Sequence, residues 1–218
     1  MNKTLESTIT LHNGIKIPYL GIGTWQSRGG KCEDAVAYAL THGYSMIDTA
    51  QGYNNEEQVG KGWQASGRAR ADIFITTKIS NSNQGYQSTK KSFAKNLKDL
   101  QTDYVDLLLI HWPEVKQFSK TVETWRALVE LQKEGCARSI GVSNFTIDLT
   151  EKLLDEIDVV PGSTRLNFTL SCTKKSYWII AVNSTFKLRL TARSPEQNSL
   201  TMRSCNGLPK NTKKRQPR

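Results

Sequence analysis

Two hydrophobic periods alternate along the first 161 residues. Short apolar or alternating runs predict strands at 19–23, 45–48, 73–77, 105–110 and 139–142. Between them, apolar residues spaced three and four apart predict helices at 32–41, 56–66, 88–100, 121–133 and 147–157. Gly43 and Gly135 stand where two of these helices should stop. Ahead of the first strand, Thr8-Ile9-Thr10-Leu11-His12 and Ile15-Lys16-Ile17 flank Asn13-Gly14. This predicts a hairpin whose two-residue turn takes two positive φ angles.

Strand–helix–strand repetition with connections this long requires parallel pairing, because parallel neighbours need a long return path. Five such units fit before Pro161. No G-x-G-x-x-G follows the first strand, since Gly21-Ile22-Gly23-Thr24-Trp25 leads with Trp where a phosphate loop needs glycine. The leading hairpin suits a plug on the bottom of a barrel. The expected fold is therefore α/β, a (β/α)8 TIM-type barrel truncated to about five βα units, with an N-terminal β-hairpin.

Composition changes this picture at one place. The 218-residue chain carries a formal charge of +10, yet residues 1–161 hold 18 basic and 19 acidic side chains while residues 162–218 hold 12 basic and one acidic. Two compositions meet near Pro161. With 37% hydrophobic residues overall, the first part has enough apolar sequence for a core and is not of the disordered class. No apolar run approaches the ~18 residues that span a bilayer, and Met1-Asn2-Lys3-Thr4-Leu5-Glu6 leads into no signal-type stretch, so the expected address is cytoplasmic with no membrane partner. Cys32, Cys136, Cys172 and Cys205 are scattered without a C-x-x-C pair, which indicates neither a metal site nor a disulfide framework.

In a βα barrel the strand C-termini converge on one mouth, so residues there carry the chemistry. The predicted strand ends present Thr24 and Trp25, then Asp48 with Tyr53 beyond it, then Lys78, then His111 and Trp112, then Ser143 and Asn144. Each has an ordinary structural explanation alone: a capping Asp, an anchored Tyr, a solvated Lys, a satisfied His. Their joint occurrence at successive strand ends is the signal. A phenol is a weak acid at neutral pH unless a neighbouring ammonium stabilises the phenolate, a role open to Lys78 beside Tyr53. Asp48 would hold Lys78 by a charge-assisted hydrogen bond, and His111 would donate to a substrate oxygen. A carbonyl protonated in this way accepts hydride, which only a cofactor can supply. Ser143 and Asn144 have the donors and acceptors to bind a nicotinamide carboxamide. Trp25 and Trp112 offer apolar walls for an aldehyde or ketone.

The chain resembles the aldo-keto reductases. The likeness is carried by Leu20-Gly21-Ile22-Gly23-Thr24-Trp25, Ile47-Asp48-Thr49-Ala50-Gln51-Gly52-Tyr53, Asn55-Glu56-Glu57-Gln58-Val59-Gly60, Thr76-Thr77-Lys78, Asp106-Leu107-Leu108-Leu109-Ile110-His111-Trp112-Pro113 and Arg138-Ser139-Ile140-Gly141-Val142-Ser143-Asn144-Phe145. It covers about residues 8–161. The resemblance implies NADP(H)-linked reduction of aldehydes and ketones, with NAD(H) not separated from it. It also implies Tyr53 as proton donor, Lys78 and Asp48 as its supports, and His111 as the donor that orients substrate. Thr24, Asp48, Ser143 and Asn144 would face the cofactor, and Trp25, Trp112 and His111 the substrate. Asn54 stands where the family usually has Gly, and Cys136 where a basic residue is usual.

After Val159-Val160-Pro161 the family pattern A-V-N-Q-x-E is absent, and 57 residues remain where three further units need about 90. Codons can be chosen for residues 161–218 that, read one nucleotide out of phase, encode A-V-N-Q-V-E-F-H-P followed by Y-S-P-L and other family-like text. Residues 162–218 are therefore expected to be an out-of-frame tail without a family-like fold, attached to a partial barrel at 1–161. Such a fragment would expose the edges of strands one and five, a template for aggregation, and the chain as written would be inactive. Two other readings remain at this point. The basic tail, ending Lys213-Lys214-Arg215-Gln216-Pro217-Arg218, would make a non-enzymatic remnant bind nucleic acid or an acidic surface. A barrel aldolase would use Lys78 as a Schiff-base nucleophile. Physiological substrate and oligomeric state are not encoded in any of these features.

Overall fold

A computed structural model of the chain describes residues 4–157, 159–161, 163–170, 173–181 and 188–192. The strongly basic stretch from 193 onward, together with Cys172 and Cys205, lies outside the described residues. Strands β1 (Thr8–Thr10) and β2 (Lys16–Pro18) form the hairpin. The remaining strands follow in order: β3 (Ile22–Gly23), β4 (Met46–Asp48), β5 (Phe74–Ile79), β6 (Val105–Ile110) and β7 (Ala137–Ser143). Between and after them run α1 (Gly30–Thr41), α2 (Glu56–Ala65), α3 (Tyr86–Asp99), α4 (Phe118–Lys133) and α5 (Ile147–Glu156). Strands β3 to β7 pair in sequence order and in parallel, as the periodicity requires.

The hairpin turn differs from the two-residue form. Leu11 N–H donates to Ile15 O at 2.8 Å and Gly14 N–H to Leu11 O at 3.0 Å, leaving three loop residues. Gly14 alone has a positive φ, +84°, while Asn13 does not. A type I turn closed by one left-handed residue needs only that single glycine. The first barrel strand is also shorter than its apolar run. Tyr19 N–H donates to Ser7 O at 2.9 Å, extending the hairpin and withdrawing the start of the run from the sheet.

The parallel sheet has two apolar faces. Ile75, Ile79, Leu108, Ile110, Ile140 and Val142 pack outward against Val36, Val59, Phe93, Trp125 and Leu128 of the helices. On the inner face, Met46, Phe74, Leu107 and Leu109 pack with Ile9, Leu11 and Ile17, so the hairpin plugs one end of the barrel interior. The helices approach each other closely where glycine permits it. A Cβ on Gly60 of α2 would lie 2.3 Å from Asp99 O, and one on Gly62 2.7 Å from Glu33 O. Near the hairpin end, buried Asp106 accepts from Arg70 Nη2 and Arg138 Nη1, each at 2.8 Å, and from Ile75 N–H at 2.9 Å.

Past Pro161 the expectation of an open edge on strand five is overturned. Strand β8 (Ser163–Leu170) pairs in parallel with β7, matching Gly141 with Ser163 and Ser143 with Arg165. Strands β9 (Thr173–Ala181) and β10 (Leu188–Ala192) then add antiparallel neighbours. The Thr- and Leu-containing run after Gly162 has strand-forming composition although it lacks the family's motif. Among the described residues the sheet runs from β3 to β10 without a β3–β10 pairing, so the barrel is not closed.

Candidate active site

The candidate side chains stand at the strand C-termini, the end opposite the hairpin. Lys78 lies on β5 and points inward, because Phe74, Thr76 and Lys78 alternate onto the inner face while Ile75, Thr77 and Ile79 face the helices. It is wholly buried. An isolated ammonium there would be strongly disfavoured, so it must be paired. Its Nζ donates to Asp48 Oδ1 at the end of β4 and, at 2.7 Å, to Thr49 O. The chain then turns through a single 3-10 turn, Gln51–Tyr53, closed by Asn54 at φ +53°. The left-handed conformation explains why Asn can replace Gly at 54: Asn is among the few side chains that adopt it readily.

That turn carries Tyr53 over the buried lysine. Lys78 Nζ lies 5.1 Å from the Tyr53 ring centroid, and the Tyr53 and His111 rings meet edge to face at 5.6 Å and 78°. The four residues expected to carry chemistry are thus brought together by three strand ends and one turn. His111 follows β6, and its N–H donates to Ile79 O at 3.0 Å.

On the other side of His111, Asn144 has φ +64°, and its Nδ2 donates to His111 O at 2.7 Å and to Ser143 Oγ at 3.0 Å. Asn144 Oδ1 is buried with no hydrogen-bond partner among the described residues. Ser143 Oγ, as an acceptor, keeps its own proton to donate elsewhere. One orphaned acceptor beside one hydroxyl donor fits a primary carboxamide, which presents an NH₂ and a carbonyl.

Thr24 belongs to a buried hydrogen-bond chain beside the centre. It is buried, and its hydroxyl donates to Thr49 Oγ1 at 2.9 Å, which in turn donates to Asn55 Oδ1 at 3.1 Å. Asn55 Nδ2 donates to Thr24 O and Ser27 O at 2.7 and 2.9 Å. Thr24 and Asn55 therefore brace Thr49, whose carbonyl holds Lys78, from behind. Trp25 and Trp112, which follow β3 and β6, are 68% and 49% exposed.

Two residues that motif reading left without a role adjoin the centre. Glu56, the first residue of α2, is buried and accepts from Thr77 Oγ1 at 2.5 Å. Burial pushes its carboxyl up to about 7, against the opposing Thr77 bond and the more distant Lys95 and Lys78 charges, with Asp99 adding to the rise. Gln51 accepts from Ser80 N–H and Asn83 Nδ2, both at 2.9 Å, and donates to Asn96 Oδ1 at 2.9 Å. The available signal was a polar side chain on the inward side of an amphipathic helix or turn, which periodicity alone does not distinguish from a surface position.

The sequence model described as "Aldo/keto reductase family" matches residues 19–195. The chain belongs to the aldo/keto reductase family. It is 43% identical over 176 residues to a glyoxal reductase of Bacillus subtilis (strain 168), a match covering 80% of this chain and 63% of that protein. Among solved structures, an aldo/keto reductase from Brucella melitensis is 50% identical with a TM-score of 0.72, covering 74% of this chain and 63% of that one. A Bombyx mori aldo-keto reductase solved in complex with NADP is 32% identical with a TM-score of 0.68, covering 74% and 58%. The chain spans about three-fifths of the length of the family members it matches. No helix among the described residues is long and apolar enough to cross a membrane.

Proposed function

We propose that the Asp48–Lys78–Tyr53–His111 centre reduces small aldehydes and ketones to alcohols, with a nicotinamide cofactor of the NADP type. The observation that carries this reading is the wholly buried Lys78 ammonium, held by Asp48 and Thr49 beneath the Tyr53 ring. A lysine so placed stabilises negative charge on the phenol, which lets Tyr53 release its proton to a substrate oxygen. His111, edge-on to Tyr53, orients that oxygen. Asp48 holds Lys78 in place by a charge-assisted hydrogen bond. Ser143 and Asn144 would hold the carboxamide of the cofactor, which when bound supplies hydride. Lys78 bonded in this way is a poor Schiff-base nucleophile, which disfavours the aldolase reading.

The kinship with a glyoxal reductase favours compact α-oxoaldehydes as substrates. The test is oxidation of NADPH on addition of glyoxal to the protein with the reading frame restored at codon 162, with the alcohol product identified. Glyoxal-dependent oxidation supports the reading. Its absence in a protein shown to bind NADPH counts against the substrate class, and absence of NADPH binding counts against the cofactor assignment.

A second proposal concerns residues 162–218, which we read as translated out of frame from codon 162. The favouring observation is the abrupt change from near-neutral to strongly basic composition at Pro161. Against it stand the family match to residue 195 and the parallel pairing of β8 with β7. Sequencing the gene across codons 155–170 decides between them. A base missing from the given sequence at codon 162, whose reinstatement restores the family pattern A-V-N-Q-x-E, supports the proposal; an intact frame overturns it and returns the basic tail as a candidate nucleic-acid-binding segment, testable by salt-dependent binding.

A further inference from the structure

We propose that Gln51 is a positioning residue that sets the separation of Tyr53 from Lys78, an inference resting on the carbonyl-reducing reading above. Gln51 opens the 3-10 turn that ends at Tyr53, two residues before the phenol. Its Oε1 accepts from the backbone N–H of Ser80, two residues beyond Lys78, and from Asn83 Nδ2, both at 2.9 Å. One side chain therefore bonds the turn carrying the phenol to the segment that follows the ammonium.

The other end of the same amide is anchored as well. Gln51 Nε2 donates to Asn96 Oδ1 of α3 at 2.9 Å. With the Asn96 amide turned so that Nδ2 faces the carboxylate, that nitrogen donates to Glu56 Oε2 at 3.3 Å and to Ser92 O at 2.9 Å, while Oδ1 still accepts from Gln51 at 3.1 Å. Glu56 in turn accepts from Thr77, the residue before Lys78. In that orientation of Asn96 a chain of bonds leaves β5 at Thr77, passes through Glu56, Asn96 and Gln51, and returns to the β5 extension at Ser80. Tyr53 sits on the turn that this loop of bonds clasps. The charged and titratable groups around the phenol are Lys78, its partner Asp48, the ring of His111, and Glu56 beyond Thr77.

Lys78 Nζ lies 5.1 Å from the Tyr53 ring centroid, close enough for its charge to act on the phenol. Between unit charges at an effective dielectric near 20, a retreat from about 4 to 6 Å changes the interaction enough to raise a phenol's titration midpoint by about one pH unit. Loss of the Gln51 bonds to Ser80, Asn83 and Asn96 loosens the turn that carries Tyr53, and a displacement of that size would detune the proton donor.

The experiment is titration of Tyr53 in the full chain by NMR of ¹³C-labelled tyrosine, with the resonance assigned by Tyr53→Phe. The variants are Gln51→Ala and Gln51→Met, the latter filling the same volume without hydrogen bonds. Lys78→Met sets the upper limit, and amide exchange at Ser80 reports whether the bond is lost. The expected result is loss of Ser80 protection with the Tyr53 midpoint raised by about one pH unit in both Gln51 variants, and by more in Lys78→Met. An unmoved midpoint despite lost Ser80 protection overturns the positioning role, while a shift in Lys78→Met leaves the catalytic reading standing. A Lys78→Met variant that does not move the midpoint overturns both.

Discussion

Glu56 gives the most quantitative check on the interior of this molecule. Its carboxyl is buried at the start of α2, where the helix dipole favours a negative charge by about 0.3–1 kcal/mol. Burial opposes it and prevails, raising the group from 4.5 to about 7. At about 1.4 kcal/mol per pH unit, the ionised group costs the folded state about 3 kcal/mol relative to the unfolded chain. The sign follows from where the proton sits. Below pH 4.5 both states are protonated and nothing is lost. Between 4.5 and 7 the unfolded chain ionises while the folded one does not, so stability falls as pH rises. Above 7 the loss is complete. Glu56→Gln keeps the shape and an oxygen for Thr77 but cannot ionise, so it should be nearly neutral at pH 4.5 and stabilising by about 3 kcal/mol at pH 8. In a domain of this size that is roughly 6–12 °C in Tm. Thermal unfolding of both proteins by near-ultraviolet circular dichroism, at half-unit steps from pH 4.5 to 8.5, measures the difference. A difference that does not change with pH, or a variant that loses ground as pH rises, refutes the burial argument.

Other sites give sharper structural tests. Gly60→Ala places a methyl against the Asp99 carbonyl, which as backbone cannot turn aside, and should cost about 1–3 kcal/mol in denaturant unfolding. Asp106→Ala strands Arg70 and the Ile75 N–H and should cost about 3–5 kcal/mol, with Asp106→Asn recovering part of it. Asn144→Ala removes the orphaned acceptor and the bond to His111 O, and should weaken NADPH binding about tenfold in a fluorescence titration, one hydrogen bond's worth. Unchanged affinity would remove Ser143–Asn144 from the cofactor site.

Much of this was legible along the chain because helical and strand periods differ and the parallel units repeat. Strand 105–110 and helix 147–157 follow directly from apolar spacing, and β6 and α5 occupy nearly the same residues. Edges were less legible. Lys78 and Ile79 extend β5 past its predicted end, because pairing with Leu109 and Ile110 continues where the apolar run is interrupted by the lysine. Tyr19 is lost from β3 to the hairpin, a competition between two sheets that local sequence does not record. At the site, the residue types at strand ends pointed to Asp48, Tyr53, Lys78 and His111, which the fold brings together. Thr24 was legible as a conspicuous position but not as a brace behind Thr49, since a hydroxyl's direction depends on the neighbour it meets in space. Gln51 and Glu56 were hidden for the same reason: their partners, Ser80, Asn96 and Thr77, lie 21 to 45 residues away.

The most direct measurement is steady-state glyoxal reduction with NADPH by the protein with the reading frame restored at codon 162, alongside its Tyr53→Phe variant. The account predicts turnover in the parent and a fall in kcat of about 10²–10⁴-fold in the variant, with KM little changed, because a general acid acts on the transition state more than on binding. Equal kcat in the two proteins would contradict it.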